Sequence, residues 1–84
     1  MSATIPSTPV RVIDVRVVDP RERHPMIFGT LESLSVGENF EVYSDHEPAP
    51  LHSHLKQEYP GEFTFEYLQR GPVDWHFRIT RIVE

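Results

Sequence analysis

The sequence predicts an α+β two-layer sandwich of element order β-α-β-α-β-β, with two helices on one face of a mixed four-stranded sheet. Four segments alternate apolar and polar residues, which is the period of half-buried strands. Two intervening segments carry apolar residues at helical spacing. Each strand segment has only one strongly apolar side, so both helices are expected on that side.

The chain has 84 residues, which suits one domain with a single core. Residues 1–9 are rich in serine, threonine and proline and show no apolar periodicity. Such composition predicts a disordered lead-in. The folded domain is therefore expected over residues 10–84.

The first half of the domain predicts a strand followed by a helix. Within residues 11–17, the apolar Ile13, Val15 and Val17 alternate with the polar Asp14 and Arg16, which indicates the first strand. Pro25 suits the first position of a helix. The helix region is expected to end at Gly37, and its apolar stripe comprises Ile27, Phe28, Leu31 and Leu34.

The second half predicts a strand, a short helix and a hairpin. Residues 38–44 alternate again and indicate the second strand. Pro50 is expected to open the second helix, which Pro60-Gly61 closes. Alternation over residues 63–67 and 75–80 then predicts a β-hairpin.

The same alternation assigns residues to the two faces of the sheet. The expected core comprises Ile13, Val15, Ile27, Phe28, Leu31, Leu34, Phe40, Val42, Leu51, Leu55, Phe63, Phe65, Trp75, Phe77 and Ile79. The opposite face is expected to be solvated or, alternatively, to dock a protein partner; it comprises Asp14, Arg16, Glu41, Tyr43, Glu66, His76 and Arg78.

Composition restricts the partners and the compartment. Thirteen acidic and eight basic residues give a net charge of −5, which argues against nucleic acid as a partner. No segment approaches the roughly 20 apolar residues of a membrane span, so no membrane is expected either. The lack of cysteine excludes disulfides and thiol catalysis and is compatible with a reducing cytoplasm. We expect a cytoplasmic monomer or weak dimer with an unknown protein partner.

A histidine-rich loop predicts the functional site. Residues 45–54 carry three of the five histidines. If the first two strands are parallel, this loop and residues 23–25 leave the sheet at the same edge. Both helices also lack a standard N-cap in this interpretation, and free backbone N–H groups attract anions. The expected ligand-binding residues are Arg23, His24, Asp45 and His46. Alternatively, the loop of residues 45–54, like the open face of the sheet, is expected to serve as the docking surface of a protein-interaction module.

A structural role for these residues is the alternative. In that case Asp45 caps a helix or accepts hydrogen bonds in the turn, Arg23 pairs with it, and His24 fills space.

Three histidines are candidate metal ligands: His24, His46 and His54. With Asp45 they would suit zinc or iron, although their spacing matches no strong metal motif. His52 and His54 stand two apart and do not face each other on a helix. The sequence contains no nucleophile elbow and no glycine-rich phosphate loop, so we expect no catalytic residues and no enzyme.

Several strings together resemble a known family. They are Asp14-Val-Arg16, Asp19-Pro20-Arg21-Glu-Arg23-His24-Pro25, Ile27-Phe28, Gly37-Glu38, Asp45-His46-Glu-Pro48-Ala-Pro50-Leu51, Tyr59-Pro60-Gly61-Glu62-Phe63, and Gly71-Pro72 with Trp75. The chain after Val10 resembles the bacterial domain-of-unknown-function family 2249.

That resemblance implies a TusA-like fold, because the family is similar in fold to the TusA/SirA sulfur carriers. In those carriers a Cys-Pro pair opens the first helix and the cysteine holds a persulfide. Here His24-Pro25 stands at the matching place, and without cysteine a protein persulfide cannot form. The resemblance implies a binding module, in a redox or respiratory setting, or a relative of sulfur carriers that has lost the persulfide cysteine.

Overall fold

The computed structural model describes residues 8–83 and has the predicted fold class. Four strands form one mixed sheet in the order β1-β2-β4-β3, and two α-helices join the first three strands. Among the described residues no helix is long and apolar enough to cross a membrane. The predicted lead-in at residues 1–9 falls mainly on residues 1–7, which lie outside the described residues. The elements are β1 Arg11–Asp14, α1 Pro20–Glu32, β2 Asn39–Ser44, α2 Ala49–Glu58, β3 Phe63–Arg70 and β4 Trp75–Arg81.

The first strand is shorter than predicted. β1 ends at Asp14, and the residues Val15–Val17 form a turn of 3₁₀ helix. The Asp14 carboxylate accepts hydrogen bonds from the backbone N–H of Arg16 at 3.0 Å and from its guanidinium at 2.7 and 2.8 Å. An aspartate that binds the backbone two residues ahead competes with strand pairing, so the strand stops there.

The first helix starts earlier than predicted. It begins at Pro20, so the expectation that it opens at Pro25 with His24 as an uncapped N-terminus is wrong. Asp19 is the N-cap and accepts a hydrogen bond from the Arg21 backbone N–H at 2.9 Å, which is a standard helix start. Apolar periodicity missed it because the first turn is polar and largely exposed.

The sheet and the second helix follow the prediction more closely. β1 and β2 are parallel, whereas β4 is antiparallel to both β2 and β3. α2 begins one residue before Pro50 and ends at Glu58, just before the predicted stop at Pro60-Gly61. Gly37 lies in the turn before β2 with φ of 90°, so that turn requires glycine.

Both helices pack on one face of the sheet around a single hydrophobic cluster. Every apolar residue of this buried cluster was expected in the core. Phe28, Leu51, Phe63 and Phe65 are only partly buried against it, and Trp75 is partly buried as well. The buried residues are Ile13, Val15, Ile27, Leu31, Leu34, Phe40, Val42, Leu55, Phe77 and Ile79.

Two glycine-to-alanine substitutions should change the free energy of unfolding in opposite directions and so test the described backbone. Gly29 lies in α1, and an added Cβ would meet no atom within 4 Å. Gly29→Ala should therefore raise the free energy of unfolding by up to about 1 kcal/mol, the helix-propensity difference. Gly71 has φ of 62°, and its added Cβ would lie 2.6 Å from the Trp75 ring. Gly71→Ala should lower that free energy by about 1–2 kcal/mol from backbone strain alone. Urea unfolding of both variants measures the difference, and an equal effect of the two substitutions would contradict the described backbone.

Candidate functional site

A cleft of about 270 Å³ lies where β1 and β2 end, between the first turns of α1 and α2. We call it the strand-end cleft. Its apolar lining includes Val15, Ile27, Leu51 and Phe77. Its polar lining comprises Arg23, His24, Ser44, His46, Glu47 and His54. Three of the four predicted ligand-binding residues line it, and Asp45 lies beside it as the partner of Arg23.

Arg23 is the only arginine or lysine that lines the strand-end cleft among the described residues. Its Nε donates to the carbonyl oxygen of Val18 at 3.0 Å, and its Nη1 donates to Oδ1 of Asp45 at 3.1 Å. The side chain is only 16% exposed, so these two bonds hold the guanidinium in one orientation. Within the described residues Nη2 donates no hydrogen bond. The guanidinium therefore keeps donors for a group that enters the cleft.

Asp45 connects Arg23 to the histidine-rich loop. Nδ1 of His46 lies 2.9 Å from the same Oδ1 that accepts from Arg23, a hydrogen bond in which the protonated nitrogen donates. Ser44 fixes the loop from the end of β2, because its Oγ donates to the His46 carbonyl at 3.0 Å. The His46 imidazole and the Arg23 guanidinium hold the pKa of the Asp45 carboxyl below its ordinary value of 3.8.

His24 does not join the Asp45 group. Its ring stacks on Phe28 with centroids 4.6 Å apart, and the His54 ring lies 4.9 Å from it. Adjacent residues on a helix point about 100° apart, so Arg23 faces Asp45 while His24 faces α2. These contacts agree with part of the structural alternative. Arg23 pairs with Asp45, and His24 fills space against neighbouring rings.

The N-terminus of α2 lacks a side-chain cap, as the sequence indicated. The N-cap position is Pro48, and within residues 8–83 no side-chain cap hydrogen bond is made to the first turn. Asp45 does not cap this helix, so that half of the structural alternative is wrong. Its other half, in which Asp45 accepts hydrogen bonds in the turn, agrees with the contact to His46. Glu47 lies 4.0 Å from the Arg70 guanidinium.

The three predicted metal ligands line one cleft but form no recognisable metal centre. Within residues 8–83 no group of three or more histidine, aspartate or glutamate side chains is placed to hold a metal ion. His46 is engaged by Asp45, whereas His24 and His54 pack against Phe28.

His52 belongs to a different surface, as the spacing on α2 predicted. Its ring stacks on Phe65 at 4.3 Å. Burial, and to a lesser extent the Lys56 charge, lower the pKa of His52 from 6.5.

A second polar cluster occupies the open face of the sheet. Glu41 lies 2.8 Å from Nε2 of His76 and accepts a hydrogen bond from Arg78 at 3.2 Å, and Arg78 also donates to Glu66 at 3.2 Å. The His76 ring stacks on Tyr43 with centroids 4.0 Å apart. His76 is therefore held and half-buried, not simply solvated as the sequence pattern suggested. The register Glu41↔Arg78, which the sequence alone does not give, places these charges together.

Ser44 and Phe77 line the strand-end cleft but were not predicted to do so. The alternation of β2 puts Ser44 on the same side of the sheet as Phe40 and Val42, so its inward position could have been predicted from the sequence. Phe77 was expected only in the core, and its contribution to the cleft depends on β4 lying beside β2.

Replacing Arg23 should alter the ionisation of Asp45. Arg23→Gln removes a charge-assisted hydrogen bond, so the pKa of Asp45 should rise towards 3.8. A carboxyl whose pKa is lower in the folded than in the unfolded chain stabilises the fold above its unfolded pKa. That stabilisation is lost as pH falls through the pKa of the folded chain. The free energy of unfolding of Arg23→Gln should therefore depend less steeply on pH in the acid range. Carbon-13 NMR titration of the carboxyl measures the shift. Arg21→Gln is the matched control, because Arg21 pairs with Asp19 instead; an unchanged Asp45 titration in Arg23→Gln would contradict the described ion pair.

Comparison with known proteins identifies the family and no activity. No curated protein and no solved structure matches the chain. Residues 12–81 match the family model described as "Uncharacterized conserved protein (DUF2249)". This match covers most of the domain whose sheet and cleft are described above, and the chain belongs to the DUF2249 family.

Proposed function

We propose that this chain is a small non-enzymatic binding module whose strand-end cleft takes a small anion. One observation carries the proposal: the Arg23 side chain lines the cleft, its guanidinium is held by Val18 and Asp45, and within the described residues its Nη2 makes no hydrogen bond to protein. A guanidinium that is oriented before binding loses little entropy when an anion docks. Hydrogen bonds between ionised groups are also stronger than neutral ones.

The surroundings of Arg23 favour an anion over a metal ion. A permanent cation in the cleft opposes a second cation there. Among the described residues, the candidate metal ligands His24, His46 and His54 do not form a group of three that could hold a metal ion. Zinc or iron binding at these three histidines thus has less support than anion binding.

The uncapped N-terminus of α2 supports the same proposal. Pro48, Pro50 and Leu51 line the cleft together with Arg23. The first turn of a helix leaves backbone N–H groups without intrahelical partners, and its dipole favours negative charge. Among the residues that the structure describes, no side chain caps the N-terminus of α2.

A protein-interaction module is the second candidate, and the surface around the strand ends favours it. Arg16 bridges to Asp74 at 3.1 Å, and the nearby chain positions Val17 and Val73 are 83% and 72% exposed. Exposed apolar side chains beside a fixed ion pair are features of docking surfaces. Affinity capture from cell extract with wild type and the Val17→Ser/Val73→Ser double variant tests this candidate. Retention of the same proteins by both would exclude these two valines from the contact.

The cellular setting is part of the proposal. We place the module in the cytoplasm of a bacterium, in redox or respiratory metabolism, as a relative of the TusA/SirA sulfur carriers. The β-α-β-α-β-β order and the lack of cysteine support a carrier-like fold without persulfide chemistry. His24-Pro25 lies inside α1, so it does not take the helix-opening place of the Cys-Pro pair in the carriers. An experimental structure that superposes poorly on those carriers would overturn the relationship.

Anion binding is tested by titrating the nitrogen-15-labelled chain with acetate, phosphate and sulfate at constant ionic strength. We expect at least one anion to shift backbone amide signals of the residues in or beside the cleft that carry an N–H, namely Arg23, His24, His46, Glu47, Ala49 and Leu51. Arg23→Gln should weaken that binding about tenfold or more, since hydrogen bonds to charged groups contribute roughly 1.5–3 kcal/mol.

Arg21→Gln is the control for lost charge, because Arg21 lies on the same helix with its side chain 89% exposed and away from the cleft. The proposal is wrong if no anion shifts these signals. It is equally wrong if both arginine variants bind as the wild type does.

A further inference from the structure

We propose that the ligand of the strand-end cleft is a small monocarboxylate with an apolar body, not an inorganic oxyanion. This inference rests on the proposed anion-binding function and specifies its ligand class. Three features of the cleft carry it: an apolar floor, a single permanent cation with two acidic neighbours, and a volume suited to a short organic molecule.

The floor of the cleft belongs to the hydrophobic core. Val15, Ile27 and Phe77 line the cleft and are only 2%, 5% and 1% exposed. Leu51 adds a partly buried apolar wall from α2. A fully hydrated oxyanion finds no hydrogen-bond partner on such a floor and must lose water to reach it. A hydrocarbon body gains free energy by covering the same surface.

The charges at the cleft favour a single negative charge. Arg23 is the one permanent cation in the lining of the described cleft, and Asp45 already accepts one of its hydrogen bonds at 3.1 Å. Glu47 lines the same cleft, and its nearest cation, Arg70, is 4.0 Å away. A second negative charge on the ligand would face these two carboxylates without a further cation to offset it. A carboxylate needs only the remaining guanidinium donors.

The size of the cleft sets the length of the ligand. Small-molecule sites in proteins usually enclose about 300–1,000 Å³, and this cleft, at about 270 Å³, lies just below that range. It therefore suits a short acyl chain or one small ring better than a long fatty acid or a nucleotide. The rings of His24 and His54, which lie 4.9 Å apart, form the wall towards α2.

A ligand series tests the ligand class directly. NMR titration of the intact chain with acetate, propanoate, butanoate and pentanoate should show about fourfold tighter binding for each methylene that enters the cleft. Pentanamide, the neutral analogue, should bind at least tenfold more weakly than pentanoate. Sulfate and phosphate should also bind more weakly than pentanoate.

The outcomes separate this inference from the proposed function. If sulfate or phosphate binds as tightly as pentanoate, or if affinity does not rise along the series, the ligand class is wrong while anion binding stands. If neither the carboxylates nor the inorganic anions bind, both proposals fail. If pentanamide matches pentanoate, the cleft recognises the apolar body alone and Arg23 has no part in recognition.

Two variants assign the selectivity to named side chains. Leu51→Ser should lower the ratio of pentanoate to acetate affinity, and Leu68→Ser is its control because Leu68 is exposed on β3, away from the cleft. Glu47→Gln should raise the affinity for sulfate relative to pentanoate. An unchanged pentanoate-to-acetate ratio in Leu51→Ser would overturn the role given to Leu51, and an unchanged sulfate-to-pentanoate ratio in Glu47→Gln would overturn that of Glu47. The ligand series on the wild-type chain does not depend on either variant folding.

Discussion

The parallel pairing of β1 with β2 is the constraint on which the strand-end cleft depends. The register runs from Arg11↔Phe40 to Asp14↔Tyr43, so both strands end at the same edge of the sheet. α1 makes the crossover between these two parallel strands, a connection that is generally right-handed. This arrangement brings Nη1 of Arg23 to 3.1 Å from Oδ1 of Asp45, a residue 22 positions later in the sequence. The Arg23–Asp45 ion pair therefore lies at the edge of the sheet where β1 and β2 end.

The position at which α1 begins determines the direction in which the Arg23 and His24 side chains point. With the helix starting at Pro20, Arg23 faces back to Val18 and across to Asp45. His24, one position on, points to α2 and packs with Phe28 and His54. The Arg23 guanidinium is therefore held beside Asp45, whereas the His24 imidazole packs against aromatic rings at the side of the cleft.

The sequence predicted the sheet, both helices and the buried core because each of these leaves a periodic trace in apolar residues. It placed the start of α1 wrongly because residues 20–23 contribute nothing to the core and so leave no such trace. The meeting of Arg23 with Asp45 follows from topology, since parallel strands end together. The pairing of His24 with His54 does not follow, because it depends on the rotational phase of two helices. The cluster of Glu41, His76 and Arg78 likewise needs the strand register, which alternation alone leaves undetermined.

The central claim is that Arg23 meets the negative group of a ligand in the strand-end cleft. A crystal structure of the chain with pentanoate tests it most directly. The account predicts a carboxylate oxygen about 2.7–3.2 Å from Nη2 of Arg23, with the hydrocarbon chain against Phe77 and Ile27. A carboxylate bound elsewhere while the cleft holds only water, or a guanidinium turned away from the bound carboxylate, would contradict it.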